Sequence, residues 1–168
     1  MDAAELKQIE RLAESGRKRE ALERCDSLLE KTTGRKCDVL RTRAYVLALL
    51  QEYERSLSDR RAVLQSGEAH LGDYFRAAQC ALSAHRASEA DSLFKELLAR
   101  EEREGGRYFR PGAWFLLAYA QMELGRYEEA GKSLDQALLA DPNCGMPVPG
   151  GVMWSSERLR QDISKRAR

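Results

Sequence analysis

The chain has 168 residues, of which 43% are hydrophobic and 33% charged, a composition typical of a soluble, helix-rich globular protein. Lys and Arg number 28 and Asp and Glu 27, giving a net charge of +1, which disfavours nucleic-acid binding because such proteins usually carry a basic excess. The sequence contains no run of 18 apolar residues, so no membrane span is predicted. The charged N-terminal stretch lacks the apolar centre of a signal peptide. We therefore expect a cytoplasmic protein.

The first part of the chain predicts four amphipathic helices in two pairs. The apolar spacing indicates helices over 2–14 and 18–31, separated by a turn at Ser15-Gly16. Two further helices are expected over 38–50 and 53–65. The third helix is apolar on nearly every side, which is typical of a helix packed between neighbours.

Two more helix pairs follow. Helices are expected over 71–84 and 87–104, and then a loop over 105–110. The stretch 111–142 predicts two short helices with a turn at Gly125, because Pro suits the first helical turn and Asp-Pro ends a helix.

The composition changes after residue 142. The segment 143–154 contains two prolines and three glycines and is predicted to be an extended connector. Ser155 can cap a last helix over 155–168, in which Leu159 and Ile163 lie one turn apart. We expect this helix to cover the final apolar face as a structural cap.

The four predicted pairs repeat one another at a spacing of 34 to 40 residues. Each second helix carries a small residue at the same place, where helices would cross. These small residues are Ala21, Ser56, Ala90 and Ala130. A turn residue lies five positions before each of them. The turn residues are Gly16, Gln51, His85 and Gly125. Agreement at several positions in all four segments indicates an internal repeat.

The segment 111–143 closely resembles a tetratricopeptide repeat. The family's characteristic residues are matched by Trp114, Leu117, Gly125, Tyr127, Ala130 and Pro142. The resemblance implies an all-α fold, a right-handed superhelical α-solenoid of antiparallel helix pairs with a C-terminal capping helix. The implied helix pairs span 2–34, 37–68, 71–104 and 111–142, which together form the region 1–142.

The sequence lacks the motifs that carry enzyme chemistry. His70 and His85 lie at predicted helix boundaries, outside any recognised nucleophile, nucleotide or zinc motif. The four cysteines do not have the spacing of metal ligands and are expected to be reduced structural thiols, with Cys25 and Cys80 on core-facing positions of the repeat. We therefore expect no catalytic residues, no metal site and no cofactor, and a protein that is not an enzyme.

The resemblance implies that the first helix of each pair lines a concave groove that holds a peptide or helix of a partner protein. The groove positions carried over from the family are Arg41, Tyr45, Leu49, Phe75, Gln79, Leu82, Phe115, Tyr119 and Met122, with Leu6, Glu10 and Glu14 from the first pair. Aromatic residues, methionine and arginine are enriched at interface centres. The family's carboxylate-gripping asparagines are absent, since Glu10, Tyr45, Gln79 and Tyr119 stand in their places. This departure disfavours a carboxylate clamp of the chaperone-cochaperone kind.

Other binding arrangements remain open. The loop residues Arg107, Tyr108, Phe109 and Arg110 form a second candidate contact, and this loop and the basic tail could capture an acidic partner instead. The groove could also be filled by the chain's own tail or shared with a second copy of the chain.

We expect the protein to act as an adaptor that binds another protein, without nucleic acid or membrane. The alternative is a protein dedicated to one cognate partner, such as a secretion chaperone or a toxin-neutralising immunity protein.

Overall fold

The computed structural model describes residues 3–32, 34 and 36–168. In this part of the chain nine helices and one two-stranded sheet are present, so the expected all-α class is confirmed. The helices are α1 (Ala3–Glu14), α2 (Lys18–Lys31), α3 (Cys37–Leu49), α4 (Tyr53–Gln65), α5 (Leu71–Ser83), α6 (Ala87–Arg103), α7 (Arg110–Glu123), α8 (Tyr127–Ala140) and α9 (Ser156–Arg166). Residue 2, where the first helix was expected to begin, and residue 33 of the first implied helix pair lie outside the described residues.

The turn within each helix pair has the same backbone geometry. The turn residues have left-handed φ angles, which are 93° at Gly16, 63° at Gln51, 57° at His85 and 74° at Gly125. In each turn this residue donates a backbone hydrogen bond to the carbonyl three positions earlier, and the next residue donates to the carbonyl five positions before itself. This pattern is the Schellman motif, which satisfies the last carbonyls of the first helix.

The small residues at the helix crossings are fully buried. Ala21, Ser56, Ala90 and Ala130 all have an exposed fraction of 0%. Ser56 fits among the alanines because its hydroxyl donates to the Ala44 carbonyl oxygen at 2.7 Å. A buried hydroxyl with a partner avoids the penalty of an unsatisfied polar group.

The chain divides into two compact units, residues 1–73 and 74–168. In unit one, α1 contacts α2 and α3, and α3 also contacts α2 and α4. Arg43 of α3 makes charged contacts with both neighbouring helices. Its Nε and Nη2 atoms donate to the two carboxylate oxygens of Asp59 at 2.8 and 2.7 Å, and Nη1 donates to Asp26 at 2.8 Å. This arginine therefore joins α2, α3 and α4 through paired charges.

In unit two, α7 lies at the centre. It packs against α6 and α8, and it also contacts the first strand and α9. Its buried residues are Ala113, Phe115, Leu116, Leu117, Ala118, Ala120, Gln121 and Met122. A helix that is apolar on most sides must be covered on most sides, and α7 accordingly has neighbours before and after it in the chain.

The segment expected to be an extended connector instead forms a β-hairpin. Strands β1 (Gly145–Pro147) and β2 (Met153–Ser155) pair antiparallel, with Met146 opposite Trp154. Gly145 permits this pairing, since an added Cβ would lie 2.9 Å from the Trp154 carbonyl oxygen. Ser155 then caps α9 as predicted, because its hydroxyl accepts a hydrogen bond from the Arg158 N–H at 3.2 Å.

All four cysteines are free and buried. Burial is the largest cause that raises the pKa of the Cys25 thiol to about 12 and of the Cys144 thiol to about 11. Such thiols are protonated at neutral pH and are poor nucleophiles. Among the described helices, none is long and apolar enough to cross a membrane.

Candidate partner-binding surfaces

In unit one, two predicted contact residues on α3 are partly accessible. Tyr45 and Leu49 are half-buried and lie one helical turn apart. The Tyr45 hydroxyl donates to Glu14 Oε1 at 3.2 Å, which links α3 to the end of α1. Leu49 packs against the apolar cluster around Ile9, and its carbonyl oxygen accepts a hydrogen bond from Lys18 Nζ at 2.8 Å. We call Tyr45, Leu49 and the adjoining Glu14 the α3 surface.

Arg41, the third predicted contact on α3, is engaged inside unit one. Its Nε and Nη2 atoms donate to the two carboxylate oxygens of Asp73, both at 2.9 Å. Its Nη1 atom donates to Asp38 at 2.7 Å, and Nη2 also donates to the Glu68 carbonyl oxygen at 2.9 Å. The His70 ring also contacts the Asp73 carboxylate. A partner's carboxylate would therefore have to compete with Asp73 for this guanidinium.

The environment of Asp73 favours the ionised carboxylate. Burial by itself would raise the pKa, but hydrogen bonds from Arg41 and from the His70 backbone N–H outweigh it and hold the pKa of Asp73 below its usual value. A carboxyl group with a lowered folded-state pKa stabilises the fold above its unfolded pKa of about 3.9. That stabilisation is lost as the pH falls through the folded-state pKa.

We therefore expect Asp73→Asn to lower the free energy of unfolding by about 1–3 kcal/mol at pH 7, since a paired, partly buried guanidinium loses its anion. The difference from the parent should be complete above about pH 5 and shrink as the pH falls below about 3.9, where the parent's carboxyl group also becomes protonated. Urea unfolding followed by circular dichroism at several pH values measures it. Asp38→Asn is the matched control, because the Asp38 side chain, which also pairs with Arg41, is 63% exposed. This substitution should lower the free energy of unfolding by less than about 1 kcal/mol. Equal losses in the two variants would refute the assigned role of Asp73.

In unit two, three predicted contact residues lie in the core. Phe115 has an exposed fraction of 0%, Met122 of 1% and Leu82 of 4%. Phe75 is half-buried, with its ring centre 6.0 Å from Phe94 and 5.3 Å from Phe109. Because Phe115, Met122 and Leu82 are buried, their side chains cannot touch a partner in this conformation.

The side of α7 that carries Phe115 is covered by the hairpin. Gly112, Phe115 and Tyr119 lie on one helical face, since they are spaced three and four residues apart. At one end, a Cβ added to Gly112 would lie 3.1 Å from the Met146 sulfur and terminal methyl. At the other end, the Tyr119 ring packs edge-on against Trp154, with 5.4 Å between ring centres.

Met146 and Trp154 are directly opposite in the hairpin register, so the two side chains project from one face of the hairpin. That hairpin face therefore lies over the side of α7 between Gly112 and Tyr119. The predicted groove side of the fourth pair is consequently filled by the chain's own C-terminal segment, which was one of the arrangements left open by the sequence.

Two exposed ion pairs join α9 to α7 and α8. Arg166 donates to Glu123 of α7 at 2.8 Å, and Arg160 donates to Asp135 of α8 at 2.6 Å. Burial and the nearby Glu123 carboxylate raise the pKa of the Tyr119 phenol above its usual value. Part of the basic tail is thus paired within the unit, which leaves fewer cations for an acidic partner.

The candidate loop divides into exposed and packed residues. Tyr108 is 87% exposed and Arg107 is exposed, whereas Phe109 packs against Phe75. Glu101 organises the loop. This side chain is completely buried, and its Oε1 accepts a hydrogen bond from the Phe109 backbone N–H at 2.7 Å. Since Phe109 immediately precedes α7, the carboxylate satisfies one of the free N–H groups at that helix start.

Unlike the other three residues of the candidate loop, Arg110 belongs to a helix and lines a cleft. It is the first residue of α7 and lines an open cleft of about 330 Å³ together with residues of α6 and α8. We call it the α6–α8 cleft. Lys95, Leu98, Ala99, Glu102, Trp114 and Gln136 complete its lining.

Sequence reasoning expected the C-terminal helix to cover the final apolar face, but it missed that Met146 covers α7 at Gly112. Gly112 offered a weak signal, because a glycine inside a helix often marks a close neighbour. Glu101 gave no signal, since it stands in a run of charged residues typical of a solvated helix end. The alternating apolar residues near Trp154 are too few to distinguish a short strand from a connector.

Comparison with known proteins agrees with the internal repeat. The tetratricopeptide repeat family profile matches residues 81–145. The search of curated proteins found no match.

Three solved structures have a similar fold. MamA, residues 41 to the end, from Desulfovibrio magneticus RS-1 has a TM-score of 0.69 at 19% identity, over 81% of this chain and 73% of that one. A putative kinesin light chain from Podosopora anserina with nearly identical TPR-like repeats has a TM-score of 0.71 at 17% identity, over 83% and 74% of the two chains. A tetratricopeptide repeat protein from Parabacteroides merdae has a TM-score of 0.73 at 19% identity, over 96% and 57%.

Identities this low show the fold and not the activity. The shared fold is the α-solenoid of helix pairs that the sequence resemblance implied. The matched repeat segment at residues 81–145, the four equivalent turns and this fold show that the chain is similar to tetratricopeptide repeat proteins.

Proposed function

We propose that this protein is an adaptor that binds a peptide or helix of another protein on the groove-facing side of its first helices. The tetratricopeptide fold supports the general role, because stacked helix pairs present an extended surface for partners. The proposed role is binding without a catalytic step.

The α3 surface carries this proposal. Tyr45 and Leu49 are half-buried, so they offer apolar area to a partner while their positions are fixed by packing. An aromatic anchor held in place loses little conformational freedom on binding, which favours affinity. By contrast, the equivalent side of α7 is covered by Met146 and Trp154. Phe75 and Gln79 stay in the proposal as secondary contacts, and Phe115, Tyr119, Leu82 and Met122 as supports beneath the surface.

The test is affinity capture from native cells with mass spectrometry, followed by titration of the captured partner in purified form. We expect the Tyr45→Ala/Leu49→Ala double variant to weaken binding at least about thirtyfold, which corresponds to about 2 kcal/mol. Tyr108→Ala is the matched control, because it removes an exposed aromatic far more accessible than Tyr45. A partner that binds the double variant normally and is lost with Tyr108→Ala would place the site on the loop and overturn the proposal.

A further inference from the structure

The α6–α8 cleft combines a cation with an apolar wall. Leu98 and Ala99 of α6 and Trp114 of α7 provide apolar surface, and Arg110 provides the guanidinium. The cleft has a volume of about 330 Å³, which is the size that a few side chains of a peptide would fill. None of these residues belongs to the α3 surface.

Arg110 is available to a ligand. Within the described part of the chain, its side chain makes no ion pair and no hydrogen bond, although the residue is half-buried. The neighbouring Lys95 ammonium is already paired with Asp91 at 2.9 Å. Arginine presents a planar fork of donors that matches a carboxylate in bidentate geometry. The unpaired guanidinium therefore points to a ligand with a carboxylate.

The apolar surface continues beyond the cleft. Leu139 on α8 is 78% exposed and lies three residues after Gln136, on the same helical face. An exposed leucine alone needs no explanation, but here it extends an apolar wall already formed by Trp114 and Leu98. A ligand that fills this surface needs an apolar side chain close to its carboxylate.

We infer that the α6–α8 cleft binds an acidic peptide segment of a partner protein, with a carboxylate on Arg110 and an adjacent apolar side chain against Trp114. A peptide fits better than a nucleic acid. Glu102 also lines the cleft, and it would repel a polyanion, whereas one bidentate carboxylate needs only the single free guanidinium. This inference is independent of the α3 surface.

The probe is a fluorescein-labelled hexapeptide that alternates glutamate and leucine, compared with its glutamine–leucine analogue. Binding is measured by anisotropy at two salt concentrations and mapped by the indole N–H resonances of the two tryptophans. We expect the acidic peptide to bind more tightly than its analogue, to weaken with salt, and to shift the Trp114 indole resonance while that of Trp154 stays unchanged.

Arg110→Gln should weaken binding of the acidic peptide about tenfold or more. Arg107→Gln is the matched control, since this exposed arginine lies outside the cleft and should change affinity less than about twofold. Glu102→Gln should strengthen binding, because it removes the repelling charge. The Tyr45→Ala/Leu49→Ala variant should bind the peptide like the parent, which separates this site from the proposed groove contact.

Absence of binding at millimolar peptide, an unshifted Trp114 resonance, or equal effects of the two arginine substitutions would each overturn the inference. The unchanged Trp154 resonance reports that the Arg110→Gln variant remains folded. Loss of binding in that variant is therefore attributable to the missing guanidinium.

Discussion

Removal of residues 143–168 is expected to leave a protein that aggregates or dimerises and melts well below the intact chain. This segment buries Trp154, Leu159 and Ile163, whose exposed fractions are 9%, 0% and 7%. Each large apolar side chain contributes about 1.5–3 kcal/mol when fully buried, so the loss approaches the roughly 5–15 kcal/mol that stabilises a typical domain. The truncation also uncovers Phe115, which leaves an apolar patch on α7.

Light scattering coupled to gel filtration, together with thermal unfolding, measures this effect. The control is removal of residues 164–168 alone, which are all exposed. That shorter deletion takes away the ion pair between Arg166 and Glu123, whose side chains are 43% and 37% exposed, and should cost less than about 1 kcal/mol. A longer truncation that stays monomeric with the parent's melting temperature would mean that the C-terminal segment does not cover α7.

Phe115→Ala should lower the free energy of unfolding by about 3–5 kcal/mol, the range for a buried phenylalanine whose loss leaves a cavity. The sequence placed Phe115 among the partner contacts, where its truncation would affect binding and leave stability nearly unchanged. The two roles therefore predict opposite results in an unfolding experiment without any partner.

Chemical unfolding followed by circular dichroism gives the free energy directly. Phe115→Leu should lie between the parent and the alanine variant, since it removes less volume. Tyr108→Ala serves as the control, because a side chain that is 87% exposed should change stability by no more than about 0.5 kcal/mol. If Phe115→Ala unfolds like Tyr108→Ala, then Phe115 is not part of the core.

The turns were predictable from local sequence because they recur in register. Gly16 and Gly125 are residues that adopt a left-handed φ without a steric penalty, and spacing alone pointed to Gln51 and His85. Both non-glycine residues do adopt that conformation, which costs about 1–2 kcal/mol for a residue with a Cβ. The hydrogen bonds of the helix ends compensate for this strain.

The hairpin was not predictable from local sequence. Its strands have three residues each, too few for a periodic signal. Proline and glycine between residues 143 and 151 indicate a connector equally well. The hairpin is held by long-range packing of Met146 at Gly112 and of Trp154 on Tyr119, and contacts between distant segments leave no trace in a local pattern.

The site could be predicted only in part for the same reason. An apolar side chain at a groove position of the repeat needs apolar neighbours, but its sequence does not say whether they belong to a partner or to the same chain. Phe115 and Tyr119 have neighbours within their own chain. Tyr45 and Leu49 keep accessible area, which is why the binding proposal now depends on them.

The most direct test of the covered α7 face is a nuclear Overhauser experiment on protein with labelled methionine methyl groups. The chain has four methionines, so the spectrum is simple, and Met146→Leu identifies the signal of interest. We predict strong cross-peaks from the Met146 methyl to the Gly112 α protons, and none to α7 from the methyl of Met153, which is 65% exposed. A Met146 methyl with a solvent-exposed chemical shift and no cross-peak to α7 would contradict the account.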